Sequence, residues 1–147
     1  IHIRSERRPN YDMYGYQADI TGDGKLIGFI YHHKRGLVAK RGEGVKISKD
    51  GDREAGAFAD TDELLKHYKH GDWNHYRIVC RKDTITLFLN GVNMCIVEDL
   101  DPATKKELGH IGLQMHRGEP MKVQFKNIYL IRAKPAQTVC PPAPKEQ

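Results

Sequence analysis

Residues 76–97 constrain the fold most strongly, because they predict three consecutive β-strands joined by two tight turns. Asn90-Gly91 is typical of a two-residue hairpin turn, since both residues tolerate positive φ. Lys82-Asp83 can form a second turn of the same length. The runs on either side are rich in β-branched and aromatic residues and predict strands at 76–81, 84–89 and 92–97. Together they predict an antiparallel meander.

Strand patterns also dominate the rest of the chain. Further strands are predicted at residues 1–6, 14–20, 26–33, 110–116 and 122–131. Residues 34–59 contain five glycines and many charges, which predicts long loops around one or two short strands such as 45–47. Short peripheral helices are expected from the N-cap Asp60 to about Tyr68 and from Asp101-Pro102 to about Gly109. This order favours an all-β antiparallel sandwich, with a closed barrel as the alternative.

Length and charge limit the class of protein. A chain of 147 residues fits one domain, and we expect a sandwich over residues 1–132 and a proline-rich tail at 133–147. The net charge of +5 comes from 24 basic and 19 acidic residues mixed along the chain, which disfavours nucleic-acid binding. No apolar run approaches the roughly 20 residues of a membrane span. Because residues 1–6 already show a strand pattern without an initiator methionine, we expect N-terminal strands to be missing from this chain.

The cysteines can be placed on the predicted meander. Two-residue turns put Cys80 opposite Ile85 and Cys95 opposite Thr86. The two thiols would then lie on opposite faces of the sheet and could not form a disulfide. The third cysteine, Cys140, lies in the tail, and its pairing stays open.

Seven short motifs resemble, in order, the 3-keto-disaccharide hydrolase domain, long classed as a domain of unknown function. The resemblance covers nearly the whole chain up to about residue 132. The motifs are IxIRSE (1–6), YGYQADI (14–20), GFIYHH (28–33), DWNHYRI (72–78), LNG (89–91), GHIGLQMH (109–116) and VQFKNIYL (123–130).

This resemblance implies a concanavalin A-like jelly-roll sandwich in a bacterial protein that is periplasmic, on the cell surface or secreted. It also implies cleavage of glycosides whose sugar carries a ketone at C3, so the partner would be an oxidised glycoside. The chain departs from the family pattern by lacking the early strands that usually precede the IxIR segment. Asp19 stands where glutamine is frequent, and Lys126 stands where arginine is common.

The implied chemistry needs a base for the C2 proton, an acid for the leaving group and a group that stabilises the enolate. His116 and Asp19 are the candidates for proton transfer, since imidazole titrates near neutrality and a carboxylate can act as a base. Arg4, expected on one face with His2, would hold the enolate oxygen. Gln17 and Gln114 would bind sugar hydroxyls. As alternatives, His116 could be merely solvated and Arg4 could be an ion-pair partner of an acid.

Three other side chains are candidates for sugar contacts. Tyr31 and His33 share a face of a predicted strand, although Phe29 on that face makes a core role comparable. Trp73 could stack on a pyranose ring or anchor the core at the start of a strand. No cofactor is predicted and no CxxC or HExxH motif indicates zinc, although Asp19 and Asp23 near glycines make a divalent cation conceivable.

Two functions remain open at this point. One is a 3-keto-glycoside-cleaving enzyme, and the other is a noncatalytic carbohydrate-binding module, which the same fold can support. Clustering of Arg4, Asp19 and His116 around a pocket would favour the enzyme. Scattering of these residues with an exposed Trp73 would favour the module.

Overall fold

A computed structural model describes residues 1–116 and 118–132 of the chain. It divides into two compact units, residues 1–114 and residues 115–147. The first unit contains a five-residue helix, α1 at Thr61–Leu65, and ten strands. The strands are β1 His2–Arg7, β2 Met13–Ala18, β3 Ile30–His32, β4 Gly36–Ala39, β5 Glu43–Ile47, β6 Arg53–Ala57, β7 Tyr76–Arg81, β8 Thr84–Leu89, β9 Val92–Asp99 and β10 His110–Gly112.

The strands form two five-stranded sheets. The first sheet has the order β10-β1-β2-β3-β4, and the second has the order β6-β5-β9-β8-β7. Neighbouring strands are antiparallel, except that β5 pairs with β9 in parallel. The prediction of an all-β sandwich is confirmed, and the described residues form no closed barrel. None of the described helices is long and apolar enough to cross a membrane.

The core lies on the inner faces of both sheets. Alternation along each strand points every second side chain inward, and the buried apolar residues follow this rule in β2, β3 and β8. Burying each large aliphatic side chain contributes about 1.5–3 kcal/mol. The largest fully buried apolar side chains are Tyr16, Ile27, Ile30, Val38, Ile47, Ile85, Leu87, Leu89, Met94, Cys95 and Val97.

The predicted meander is present with its predicted turns. Tyr76 pairs with Leu89, and Leu89 pairs with Val92 across a two-residue turn. Asn90 and Gly91 both have positive φ, at 50° and 87°, as this turn requires. The second turn places Lys82 at a φ of 46°.

A β-bulge in β9 overturns the predicted placement of Cys95. Cys95 pairs with Leu87 rather than with Thr86, because the register shifts between Leu87 and Phe88 and leaves Met94 as an extra residue. Cys95 is therefore buried on the core side of the sheet. Ile85 points to the same side, and Cys80 pairs with Ile85, so both thiols belong to one face. The predicted opposite faces are wrong, whereas both thiols are free as predicted.

Several predicted boundaries differ from the structure. Residues 34–59 contain three strands, β4 to β6, rather than one or two. The helix capped by Asp60 is shorter than predicted and ends at Leu65. Asp101 to Lys105 form a hydrogen-bonded turn in place of the second helix. The strand predicted at 110–116 ends at Gly112.

The second unit has no assigned helix or strand in its described residues, 115–116 and 118–132. The strand predicted at 122–131 is therefore not formed. Within this segment Asn127 takes a positive φ of 52°, which ordinary strand geometry does not allow. The predicted tail at 133–147 lies outside the described residues.

Asn90 should stabilise the meander through both its backbone and its amide. The amide donates to His67 O and Asn74 Oδ1 and accepts from His75 N, at 2.7, 2.9 and 2.8 Å. We expect Asn90→Ala to lower the free energy of unfolding by about 2–4 kcal/mol, since it loses these bonds and strains the positive φ. Asn90→Gly, the matched control, should lose only the bonds. Equal urea-unfolding midpoints for the two variants would contradict the backbone contribution.

Candidate functional site

The candidate site lies on the face of the first sheet that points away from the core. Ile3, Tyr16 and Ile30 point into the core, so their neighbours in the chain point to the opposite face. Strand pairing puts His2 beside Gln17 and Gln17 beside Tyr31. These three side chains therefore form a row across β1, β2 and β3. We call this face the distal face.

The two glutamines chosen from the sequence are in direct contact on the distal face. Gln17 Nε2 donates a hydrogen bond to Oε1 of Gln114, which lies two residues beyond β10. Gln17 is only 8% exposed, so its amide is ordered by its neighbours. Gln17 keeps one further amide N–H and Gln114 keeps two, and such groups are donors of the kind that binds sugar hydroxyls.

The ring of His33 contacts three other aromatic rings. Its ring lies 5.5 Å from the stacked ring of His2, 5.6 Å from that of Tyr14 and 6.0 Å from that of Tyr31. Its backbone N–H donates to Gly15 O at 3.3 Å, just beyond the last pair of β3. These four residues, His2, Tyr14, Tyr31 and His33, are called the histidine–tyrosine cluster below. Aromatic faces and ring nitrogens in one place suit contact with a sugar.

His2 belongs to this cluster but was not chosen from the sequence. It is 4% exposed, and its Nδ1 has no hydrogen-bond partner among the described residues. Burial, the N-terminal amine and His33 lower the pKa of His2 to about 4, so its imidazole is neutral at pH 7. The sequence signal for it was the alternation of Ile1, His2 and Ile3.

Asp19 follows β2 and carries a carboxyl group with a raised pKa. Burial raises this pKa above the ordinary 3.8, and the amine of Ile1 opposes the shift. The backbone of Asp19 is held on both sides, since its N–H donates to Phe29 O at 3.0 Å and its carbonyl accepts from the Tyr76 hydroxyl at 3.2 Å. The position of this acid is therefore well determined.

Arg4 lies at a second irregularity, in β1. It has a positive φ of 47°, and the pairing of β1 with both neighbouring strands shifts register around it. The expected face shared by His2 and Arg4 rests on regular alternation, which the bulge interrupts. The charge of Arg4 acts on the Tyr16 hydroxyl and the Cys80 thiol, opposing the upward pKa shifts that burial causes there. Burial and the Ile1 amine are the causes of the Asp19 shift, so Arg4 is not among the charges that act on that carboxyl.

Two further candidates, Trp73 and His116, come from other parts of the chain. Trp73 precedes β7 and its side chain is 45% exposed, which speaks against the core-anchor alternative. His116 belongs to the second unit and lies beyond the end of β10. No three His, Cys, Asp or Glu residues in the described part of the chain are grouped as metal ligands. Asp23, considered for a cation, forms an ion pair with Lys25 at 3.3 Å.

An open groove lies elsewhere in the first unit. Its volume is about 520 Å³, and it lies at one end of β4 and β5, where Arg35, Asp50 and Arg53 line it together with apolar residues. None of the residues chosen from the sequence lines it. The candidate site is therefore placed on the distal face and not in this groove.

Comparison with known proteins decides the family. The profile of the 3-keto-alpha-glucoside-1,2-lyase-like domain matches residues 1–131. The chain belongs to this family. The match of this lyase-like domain covers the distal face, the histidine–tyrosine cluster and the candidates in the second unit. Comparison with curated proteins and with solved structures gives no match.

The partly buried carboxyl group of Asp19 should make the free energy of unfolding depend on pH. The sign of that dependence tests whether the group is buried. Its folded-state pKa is raised, so the stability from its protonated form is present below the unfolded pKa and is lost as pH rises. We expect Asp19→Asn to be more stable than the parent at pH 7, with the difference vanishing towards about pH 3.

Asp23→Asn is the matched control with the opposite sign. The backbone N–H of Lys25, with the Thr21 and Lys25 side chains, lowers the pKa of Asp23, so its stabilising contribution is present at neutral pH and lost in acid. Asp23→Asn should be less stable than the parent at pH 7. Urea-unfolding curves at both pH values test the pair, and a destabilised Asp19→Asn at pH 7 would contradict the assignment.

Proposed function

We propose that the protein cleaves 3-keto-glycosides by removing the C2 proton and expelling the substituent at C1. The observation that carries this proposal is the family match over residues 1–131. The distal face supports it, because Gln17, Gln114, Tyr31 and His33 lie together there in a form suited to binding a sugar. The proposed partner is therefore an oxidised glycoside and not a nucleic acid.

The proposed reaction has two stages. A base takes the proton from C2, and the electron pair of the C–H bond moves into the enolate of the C3 ketone. The enolate then expels the C1 oxygen, which takes a proton from an acid, and a C1–C2 double bond is left beside the ketone. Addition of water across this double bond gives net hydrolysis. This scheme requires no covalent intermediate with the protein.

Asp19 is our proposed base. Its raised pKa strengthens it as a proton acceptor relative to an exposed carboxylate, and it lies two residues after Gln17, just beyond the end of β2. We propose His116 as the second proton-transfer group. Arg4 is our proposed enolate-stabilising residue and has the least support, because its charge acts on Tyr16 and Cys80.

A noncatalytic carbohydrate-binding module is the second candidate. The exposed side chain of Trp73 favours it, since an accessible indole is a common platform for a pyranose ring. Arg4 is not among the charges that act on the Asp19 carboxyl, which points the same way. Action outside the cytoplasm, in the periplasm or at the cell surface, is part of the proposal for either function and rests on the family alone.

A 3-keto-glucoside and its unoxidised parent glucoside should separate the two functions. We expect the protein to release the C1 substituent from the keto sugar and to leave the parent intact, because only the ketone acidifies C2. Chromatography of the released C1 substituent measures this cleavage. Binding of either sugar without cleavage of the keto sugar would refute the enzyme and support the module.

The role of Asp19 can be tested on the same substrate. Asp19→Asn should lower kcat by a factor of about 100 or more, in the range typical of a lost general base. Asp23→Asn is the matched control and should keep the parent kcat, since Asp23 is paired with Lys25. Equal kcat values for Asp19→Asn and the parent would remove Asp19 from the reaction.

A further inference from the structure

A buried polar network lies on the core side of the first sheet, behind the candidate site. The Tyr16 hydroxyl, on β2, donates to the Asp99 carboxylate at the end of β9. The Thr104 hydroxyl donates to the same carboxylate oxygen at 3.0 Å, and Asp101 N donates to the other oxygen at 2.9 Å. A carboxylate at 2% exposure needs such partners to offset its loss of hydration. The network therefore ties the two sheets together.

Arg35 is the cation of this network. Its Nε donates to Thr104 Oγ1 at 3.1 Å, its Nη1 donates to Gly51 O at 3.0 Å, and its Nη2 pairs with the Asp101 carboxylate. Each nitrogen of the guanidinium thus has its own acceptor, and the side chain is four-fifths buried. Because all three nitrogens of the guanidinium group are hydrogen-bonded, the group cannot move without breaking several of these bonds.

Arg35 and His33 belong to one short turn. The turn joins His32 to Gly36, and Arg35 N donates to His32 O at 3.0 Å. Lys34 N donates to Nδ1 of His32 at 3.1 Å, which places the proton of that neutral ring on Nε2. The ring of His32 packs against Tyr16, at 4.7 Å, whereas the ring of His33 joins the distal face.

The backbone alone gives His33 a weak anchor. The last paired residue of β3 is His32, so His33 lies beyond the regular ladder. Its three contacts with Gly15 are long: its N–H donates to Gly15 O at 3.3 Å, and its Nδ1 lies 3.3 Å from Gly15 O and 3.5 Å from Gly15 N. The rings of His2, Tyr14 and Tyr31 add to these contacts, and the turn that carries His33 determines where its ring can lie.

We propose that Arg35 is a positioning residue for His33. Its guanidinium fixes the core side of the turn, and the turn then holds the His33 ring against His2 and Tyr31. The consequence for substrate binding rests on the proposed function, whereas the placement of the ring does not. Arg35 itself does not touch the sugar in this arrangement.

Ring-to-ring NMR contacts and steady-state kinetics test this proposal together. In Arg35→Gln, the nuclear Overhauser contact between His2 and His33 should be lost, and KM for the 3-keto-glucoside should rise about tenfold with kcat within about twofold. Arg35→Lys keeps the charge but not the fork, so both effects should be smaller. His33→Gln assigns the His33 signals.

Two controls separate positioning from stability. Tyr16→Phe removes a hydrogen bond from the same network while keeping the ring that packs on His32, so it should lower the melting temperature and leave the His2–His33 contact intact. Lys34→Gln changes an exposed side chain of the same turn and should alter neither the contact nor KM.

The outcomes are distinguishable from failure of the proposed function. Retention of the ring contact in folded Arg35→Gln, or its equal loss in Tyr16→Phe, would overturn the positioning role. Should Arg35→Gln not fold, Arg35→Lys decides, since an unchanged contact there also overturns it. If the parent cleaves no keto sugar, the proposed function is refuted. Loss of the His2–His33 contact in Arg35→Gln would still support the positioning role in that case.

Discussion

The buried carboxylate of Asp99 is the interaction on which the rest of the first unit depends. It receives bonds from Tyr16 on one sheet and from Thr104 and Asp101 N at the end of the other. Because side chains alternate along β2, the register that points Tyr16 at Asp99 also points Gln17 at the distal face. A slip of one residue would turn Gln17 toward the core and take the Tyr16 hydroxyl away from the Asp99 carboxylate. The core thus determines what the site can present.

The structural elements that were predicted correctly are those determined by residues close to one another in the sequence. The meander followed from Asn90-Gly91 and from β-branched runs of fixed length, and the strands β7 and β8 have the predicted bounds. Gln17 and Gln114 were chosen because polar residues alternate with apolar ones. The structure brings their two amides into contact, and their role in binding a sugar stays a prediction. Regular strands and tight turns are local features, so one sequence suffices for them.

The parts predicted wrongly depend on distant contacts. Nothing in the residues around Arg4 or Met94 signals a bulge, since neither site has a glycine, and each bulge reverses the alternation for the residues near it. β5 was predicted only at residues 45–47 and begins earlier, at Glu43, where it continues the pairing with β6 and β9; β9 lies about fifty residues away in the chain. Such long-range pairing overrides weak local propensity, and His2 was missed because its partner His33 lies in another motif.

The electrostatic character of the distal face bears on which ligand it can recognise. His2 is neutral at pH 7 because burial and its neighbours lower its pKa, and the glutamine pair is uncharged. Under the proposed function, an uncharged glycoside would exchange its hydroxyl hydration for bonds to these amides and to the imidazole. Asp19, next to this face in the chain, holds its proton more firmly than an exposed acid does. Under the proposed function, an acid with a raised pKa beside this face would suit removal of a carbon-bound proton from an uncharged ketone.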